Sequence, residues 1–305
     1  MALYKIESGD NLFSVKEDEF KLEKEIQQLT EKNLSTIFGL KFVKSEFSLN
    51  NFRIDTLAYD VESKSFVIIE YKRGSNFSVI DQGYAYLSLM LNNKSDFILE
   101  FNERMDETLK RNDVDWSQSR VIFVSPNFTT YQKEAINFKD LPIELWEVKK
   151  YSNKTVSYNL VKTSNAVESV KTITKQDDTL EKVTKEIKVY TEKEHLEKAN
   201  ETIQELYEKL KSAILNLGDI EIKPKKLYVA FVYNTNVVDM AFYKNKLKLW
   251  VNLPSGSLDD PRNLCRNVSN IGHWGNGDYE LEMENDEDLE YILSLIKQSL
   301  KQKQK

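Results

Sequence analysis

The chain has 305 residues, more than the roughly 250–300 at which a single hydrophobic core stops growing, so we expect two domains. With 40% of its residues hydrophobic and 11% aromatic, it is neither wholly disordered nor collagen-like. The formal net charge of −6 opposes binding to nucleic acid unless a local patch or a metal supports it.

Residues 1–161 alternate between helical and strand-like patterns, which predicts an α/β domain with a mixed sheet. Apolar residues near helical spacing predict a first helix from Phe20 to Phe38, which Gly39 ends. The later predicted elements are strands at 41–49, 53–61 and 65–72, a helix at 79–91, a strand at 120–125, a helix at 128–138, and strands at 143–149 and 155–161.

The second half begins with a polar, Thr/Lys/Glu-rich stretch at 162–191, which predicts a linker or partly helical connector. Beyond it, apolar residues at helical spacing predict one long helix over 193–217. Strands at 227–233, 237–243 and 246–252 and a final helix at 289–300 complete the pattern. We therefore expect a second, α+β domain over 192–305.

Asp55 opens one predicted strand of the first domain, and Glu70 and Lys72 end the next strand, which is otherwise apolar. On paired antiparallel strands Asp55 and Glu70 lie near the same edge, and the two-residue period puts Glu70 and Lys72 on one face. Mg²⁺ typically uses one or two carboxylates together with waters and phosphate oxygens. The pattern predicts a metal-assisted phosphodiester hydrolysis site in which Asp55 and Glu70 bind Mg²⁺ or Mn²⁺ and Lys72 orients the attacking water.

This arrangement resembles the PD-(D/E)XK nuclease superfamily, whose αβββαβ core carries an Asp, then a Glu or Asp, then x-Lys. The resemblance covers the helix at 20–38, the strands to Lys72, the helix at 79–91 and the strand at 120–125. It implies a restriction-endonuclease-like α/β core and an Mg²⁺-dependent nuclease that acts on DNA. Restriction, phage defence and repair are the candidate settings.

The resemblance also implies supporting catalytic roles for residues on two helices. Glu25 corresponds to an acidic residue of the first helix, although a solvated helix face is an equal alternative for it. Gln82 and Tyr86 look like a Gln-x-x-x-Tyr element of the following helix. Glu46 matches a glutamate that precedes the Arg-Ile-Asp strand in related endonucleases, although an exposed strand carboxylate is an equal alternative. Ile54 stands where the superfamily name places Pro, a common substitution.

Arg53, Arg73 and Tyr86 are the candidate nucleic-acid contacts of this domain, through phosphates or base stacking. Plain surface charge is the alternative for the two arginines, and core packing is the alternative for Tyr86. RNA remains open as a substrate, and a homodimer is open because cutting two strands needs two sites. The acidic charge keeps a rival hypothesis open, in which the nuclease fold serves as a catalytically inactive binding or adaptor protein.

The second domain contains a glycine-rich run, Gly-His-Trp-Gly-Asn-Gly-Asp, over 272–278. Glycines permit close backbone approach, while His273 and Trp274 place a hydrogen-bonding ring and a flat aromatic face there. With Arg262 and Arg266 they form a candidate site for a protein or nucleotide ligand; a tight structural loop is an equal alternative. The segment resembles a domain of unassigned function found in proteins labelled predicted transport proteins and in some restriction-type nucleases.

Cys265 is the single cysteine, which excludes an intramolecular disulfide and a multi-cysteine zinc site. Neither a secretion signal nor an apolar run of about 18 residues is recognisable, so we expect a cytoplasmic protein with no membrane span. Residues 1–150 carry 20 basic and 25 acidic side chains, a net charge of −5 that includes the proposed metal ligands.

Overall fold

The computed structural model describes residues 3–7, 9–74, 77–138, 141–161 and 178–304. The chain divides into two units, Met1–Val189 and Tyr190–Lys305. No helix within the described ranges is long and apolar enough to cross a membrane.

The first unit is built on a mixed sheet. Its strands are β1 (Leu3–Glu7), β2 (Asn11–Val15), β3 (Glu17–Asp18), β4 (Lys41–Leu49), β5 (Phe52–Asp60), β6 (Ser65–Tyr71), β7 (Arg120–Ser125), β8 (Ile143–Tyr151) and β9 (Val156–Leu160). Its helices are α1 (Glu23–Lys32), α2 (Leu34–Phe38), α3 (Val79–Asn92), α4 (Lys94–Arg104), α5 (Thr130–Ala135) and α6 (Asp178–Glu186), with 3₁₀ turns at Arg111–Asp113 and Trp116–Gln118.

The strand order is β3-β8-β7-β6-β5-β4, with β9 also paired to β8 and with β1 and β2 forming a separate hairpin. The β6–β7 and β7–β8 pairs are parallel, whereas β4–β5 and β5–β6 are antiparallel. The α/β fold class with a mixed sheet is therefore confirmed.

Strand β6 lies in the middle of this sheet and is buried on both faces. Phe66 and Ile68 pack into one core with side chains of α3, α4 and α6, while Val67 and Ile69 pack into the other with Ile26 of α1. The alternation follows from the two-residue period of a strand, and it explains why this segment is apolar up to Glu70.

The second unit is an antiparallel sheet with helices, as the α+β prediction requires. Its helices are α7 (Glu192–Leu196), α8 (Glu201–Leu215) and α9 (Leu289–Lys303), and its strands are β10 (Glu221–Pro224), β11 (Val229–Tyr233), β12 (Thr235–Tyr243), β13 (Lys246–Val251), β14 (Arg266–Asn267) and β15 (Tyr279–Met283). The strand order is β10-β11-β12-β13-β15-β14. One face packs against α8 and α9.

Two predicted helices are each divided in the structure. Asn33 leaves helical geometry at φ −125° and separates α1 from α2, while its side chain bonds the carbonyl of Leu29. Asn200 has an extended backbone, and its side chain caps α8 by accepting a hydrogen bond from the backbone amide of Ile203. This cap separates α8 from α7. Apolar periodicity continues across both breaks, so periodicity alone predicted single helices.

The predicted connector is described only in part, because residues 162–177 lie outside the described residues. Its later part contains α6, whose Val183 is buried in the core of the first unit. The Lys188 amide also donates to the carbonyl of Ser117. The end of this polar stretch thus packs on the first unit.

Candidate active site

Pairing of β5 with β6 places the two predicted metal ligands opposite each other. Thr56 faces Ile69 in this antiparallel ladder, and continuing the register by one residue sets Asp55 opposite Glu70. Facing residues of an antiparallel pair project to the same side, with Cβ atoms about 4.5–5.5 Å apart. The Tyr71 amide donates to Asp55 Oδ2 at 3.0 Å, which fixes this carboxylate against β6.

Glu70 is 4% exposed, and three side chains donate hydrogen bonds to its carboxylate. Lys72 Nζ lies 2.7 Å and Gln82 Nε2 3.0 Å from Oε1, while the Tyr86 hydroxyl lies 3.0 Å from Oε2. A buried carboxylate is costly unless such donors surround it. Glu70, Lys72 and Gln82, three of the predicted catalytic residues, therefore meet in one network.

Helix α3 delivers two of these donors. Ser78 caps the helix by accepting the amide of Asp81, and Gln82 and Tyr86 follow one turn apart on the same face. Gln82 Nε2 also donates to the Tyr86 hydroxyl at 3.1 Å. Burial and the charge of Glu70 raise the pKa of Tyr86 well above its ordinary value, so the hydroxyl stays protonated and acts as a donor.

The Asp55 carboxyl differs electrostatically from an ordinary surface aspartate. Burial, and then the nearby charge of Glu70, raise its pKa from 3.8 to about 6, despite the opposing effects of the Tyr71 amide and Lys72. Two carboxylates in a poorly solvated place repel each other, and a cation relieves that repulsion.

The donor set of this site suits a divalent metal. Asp55 and Glu70 supply two carboxylates, and the described part of the chain contains no group of three or more His, Cys, Asp or Glu that could hold a metal ion. Mg²⁺ commonly binds proteins through one or two carboxylates and completes its shell with waters and phosphate oxygens. The two carboxylates of Asp55 and Glu70, which repel each other without a cation, therefore suit the binding of Mg²⁺ or Mn²⁺.

A second network supports Asp55 from α1 and was not predicted from the sequence. Gln27 is buried, and its Nε2 donates to the backbone carbonyl of Asp55 at 2.9 Å and also reaches Glu31 Oε1 at 2.9 Å. Glu31 in turn accepts the Thr56 hydroxyl at 2.6 Å, and that hydroxyl lies 3.2 Å from the Tyr71 hydroxyl. In the sequence, the sign of this network is the polar Gln27, which directly follows the buried Ile26.

Glu25 and Glu46 form their contacts outside the Glu70 network, although the charge of Glu46 also contributes to the raised pKa of Asp55. The Glu25 carboxylate accepts the backbone amide of Lys21 at 3.1 Å, at the start of α1. Glu46 forms ion pairs with Lys24 at 2.8 Å and Arg53 at 2.9 Å, and the Lys24 hydrogen bond lowers the pKa of Glu46. Neither carboxylate bonds to the Glu70 network in the described residues.

The three predicted nucleic-acid contacts occupy different environments. The Arg53 side chain is mostly exposed while it pairs with Glu46. Arg73 follows β6; its amide donates to Glu23 at 2.8 Å and its guanidinium to the carbonyl of Lys21. Tyr86 is only 5% exposed, and its hydroxyl bonds Glu70.

In the second unit, two of the four predicted ligand residues lie around Trp250. Arg266 donates to Glu280 Oε1 at 2.6 Å, and the Trp250 indole donates to Glu280 Oε2 at 3.0 Å. The His273 ring stacks on Trp250 with centroids 6.5 Å apart, while its Nδ1 lies 2.7 Å from the carbonyl of Ile271.

The other two predicted ligand residues lie apart from this group. Trp274 stacks almost parallel on Tyr243, at 6.0 Å and 5°, and remains 47% exposed. Arg262 pairs with Asp288 and lies over the Tyr291 ring at 4.5 Å, against α9. Burial raises the pKa of the Cys265 thiol to about 12, which makes this thiol unsuited to act as a nucleophile.

The glycine-rich loop lies directly against β13. A Cβ at Gly277 would come within 2.2 Å of the Val251 carbonyl oxygen, and one at Gly275 within 2.6 Å of the Trp250 ring. The glycines therefore permit close packing of the loop on the sheet. These contacts support a structural role for the loop, and the ligand site stays a prediction.

Sequence comparison found a relative that matches nearly the full length of this chain. An uncharacterized protein of Haemophilus influenzae is 54% identical over 291 residues, which cover 95% of this chain and 96% of the relative. The chain belongs to the family of this Haemophilus protein. Residues 192–303 also match the domain of unknown function DUF5655, so the C-terminal half contains a domain of unassigned function, as the sequence predicted.

Comparison with solved structures found partial likenesses. A repair endonuclease from Pyrococcus abyssi has 21% identity and a TM-score of 0.23, and the match covers 40% of this chain and 45% of that one. EndoMS in complex with double-stranded DNA has 17% identity and a TM-score of 0.27, with coverage of 48% and 65%. Pyrococcus furiosus SfsA in complex with Ca²⁺ has 14% identity and a TM-score of 0.25, with coverage of 52% and 75%. At these scores the likenesses support no inference about the activity of this chain.

Proposed function

We propose that this protein is a metal-dependent nuclease of the PD-(D/E)XK type that hydrolyses phosphodiester bonds of DNA. One observation carries the proposal: a buried Glu70, held by Lys72, Gln82 and Tyr86, lies opposite Asp55, whose pKa is raised to about 6. Paired carboxylates beside an ammonium suit hydrolysis of an anionic ester, because they combine a cation site with a positive group for developing charge.

Asp55 and Glu70 are the residues that would hold the Mg²⁺ or Mn²⁺. When bound, such a cation lowers the pKa of a coordinated water and offsets charge on the phosphate. Lys72 presents its ammonium beside Glu70, where it can orient a water or stabilise charge on a phosphoryl oxygen. Gln82 and Tyr86 keep the Glu70 carboxylate in one orientation, since they bond different oxygens.

The overall negative charge limits how this protein can bind DNA. A net charge of −6 gives little nonspecific attraction, so we expect modest, salt-sensitive affinity that depends on a local surface or a partner. Restriction, phage defence and repair are the proposed settings. We assign the C-terminal domain to recognition, gating or assembly, including a homodimer, and Trp274 is its most exposed aromatic candidate for a ligand contact.

The proposal is tested with purified full-length protein on supercoiled DNA, linear DNA and RNA, with Mg²⁺, Mn²⁺ or EDTA. We expect metal-dependent cleavage of DNA that is abolished in Glu70→Gln and Lys72→Ala. Glu100→Gln is the matched control, because Glu100 is also buried and bonds two cations, Lys44 and Arg104, at 2.9 Å each, away from the site.

Two results would overturn the nuclease assignment. One is cleavage at the wild-type rate by Asp55→Ala. The other is absence of divalent-metal binding in calorimetry together with absence of cleavage, which would favour a nuclease-fold adaptor. Faster cleavage of RNA than of DNA would change the assigned substrate and leave the site chemistry in place.

A further inference from the structure

Strand directions bring several loops to one edge of the first sheet. Because β5 runs antiparallel to β6, it begins where β6 ends, so Phe52 lies at the same edge as Lys72. Strand β7 runs parallel to β6 and ends at this edge too, just before α5. The start of β5 and the segment after β7 therefore flank Lys72 in space. They belong to the surface that a substrate of the proposed site must approach.

Phe52 contacts Tyr86, which belongs to the hydrogen-bond network of Glu70. The Phe52 ring is 42% exposed and meets the ring of Tyr86 edge to face, with centroids 6.2 Å apart. Tyr86 in turn donates to Glu70. The next residue, Arg53, has a mostly exposed side chain that pairs with Glu46.

Tyr131 belongs to α5, which follows β7, and β7 lies on the opposite side of β6 from β5. Tyr131 is 88% exposed, the highest value among the large hydrophobic and aromatic side chains that are exposed in the described residues. Its helix is held in place because Gln132 Nε2 donates to the carbonyl of Phe77 at 3.0 Å, and the Phe77 ring lies 5.8 Å from Lys72 Nζ. The helix that carries the exposed Tyr131 is thus tied to Phe77, a neighbour of Lys72.

We infer that Phe52 and Tyr131 are stacking platforms for bases next to the scissile phosphate, and that the preferred substrate is single-stranded or locally unpaired nucleic acid. Bases inside a duplex stack on each other, whereas an unpaired base offers its face to an aromatic side chain. Stacking also supplies affinity that a protein of negative net charge lacks. The inference rests on the proposed nuclease function and specifies its substrate class.

Binding is measured by fluorescence anisotropy with a labelled single-stranded 20-mer and the matching duplex, with Ca²⁺ present. We expect wild type to prefer the single strand, and Phe52→Ala and Tyr131→Ala each to weaken that binding about 5- to 100-fold. Phe42→Ala is the matched control, because Phe42 has the same side chain and 39% exposure but lies at the opposite end of β4, paired with Ala58.

Equal single-strand affinities for Phe52→Ala, Tyr131→Ala and Phe42→Ala would overturn the inference, and so would tighter binding of wild type to duplex. Cleavage with Mg²⁺ separates the two proposals. If wild type cleaves duplex and single strands equally and Phe52→Ala cleaves like Phe42→Ala, the stacking inference fails while the nuclease assignment stands. If the binding contrasts hold but nothing is cleaved, the stacking surface stands and the nuclease assignment fails.

Discussion

The backbone amide of Tyr71 donates to Asp55 Oδ2 at 3.0 Å, which ties the Asp55 carboxylate to the strand that carries Glu70. This bond favours the ionised carboxylate, but burial and the charge of Glu70 outweigh it, and the pKa of Asp55 is raised to about 6. The site thus carries an electrostatic cost in the absence of a cation.

That cost predicts a stability change with pH. The folded-state pKa of Asp55 lies above the ordinary value of 3.8, so the folded chain binds the proton more tightly and stability falls as pH rises from about 4 to about 6. Asp55→Asn removes the ionising group. We expect it to raise the free energy of unfolding by about 1–2 kcal/mol at pH 7.5, after allowance for solvent screening, and by little at pH 4.

Urea unfolding at pH 4 and pH 7.5 checks this prediction. Asp60→Asn is the control on the same strand, because Asp60 is buried and pairs with Arg120 at 2.9 Å. Its removal should destabilise the protein at pH 7.5, since a paired charge loses its partner. A destabilised Asp55→Asn at pH 7.5 would contradict the electrostatic account of the site.

The raised pKa of Asp55 also predicts that metal binding releases a proton. A cation needs the ionised carboxylate, so Mn²⁺ affinity should fall as pH drops below about 6. Calorimetry in two buffers of different ionisation enthalpy measures the protons released. We expect a fraction of a proton near pH 6 and almost none at pH 8, and no binding by Asp55→Asn. Proton release that is the same at both pH values would contradict the assignment.

Tyr86 should act as a positioning residue for Glu70. Tyr86→Phe keeps the ring that packs against Phe52 but removes the donor to Glu70 Oε2. We expect kcat to fall by about tenfold with little change in KM, because the loss of one hydrogen bond misorients Glu70 and leaves substrate contacts intact. Tyr59→Phe, at the far end of β5, should leave both constants unchanged, and an equal loss there would indicate a general structural effect.

Gly277 should be essential to the fold of the second unit. Gly277→Ala puts a Cβ 2.2 Å from the Val251 carbonyl oxygen, so backbone must move. We expect a loss of about 2–4 kcal/mol in thermal or urea unfolding of this unit. Gly272→Ala is the matched control in the same loop, because its Cβ would meet nothing within 4 Å. Equal stability of the two variants would show that the loop adapts without cost.

How far the sequence predicts the site differs from residue to residue. Asp55, Glu70 and Lys72 were candidates because two of them interrupt an otherwise apolar strand end, and the register sets Asp55 opposite Glu70. For Tyr86 the sequence left a base contact and core packing open, and the structure buries it against Glu70. Phe52 had no sequence signal, because an exposed aromatic at a strand start looks like any core residue until its neighbours are known.

The sequence by itself determined the apolar strands, since their apolar runs report burial directly: β4 and β7 have the predicted bounds, and the mixed sheet follows from the order of elements. It did not predict β1, β2, β3, β10, β14 or β15, which are short or largely exposed or lie outside the segments assigned as strands. It could not determine α4, which begins at Lys94 and buries Phe97, or the division of the helix at Asn200. Tertiary structure alone decided the donors around Glu70 and the support of Asp55 by Gln27. Those contacts join residues distant in the chain, and their energies depend on burial, which a linear pattern does not contain.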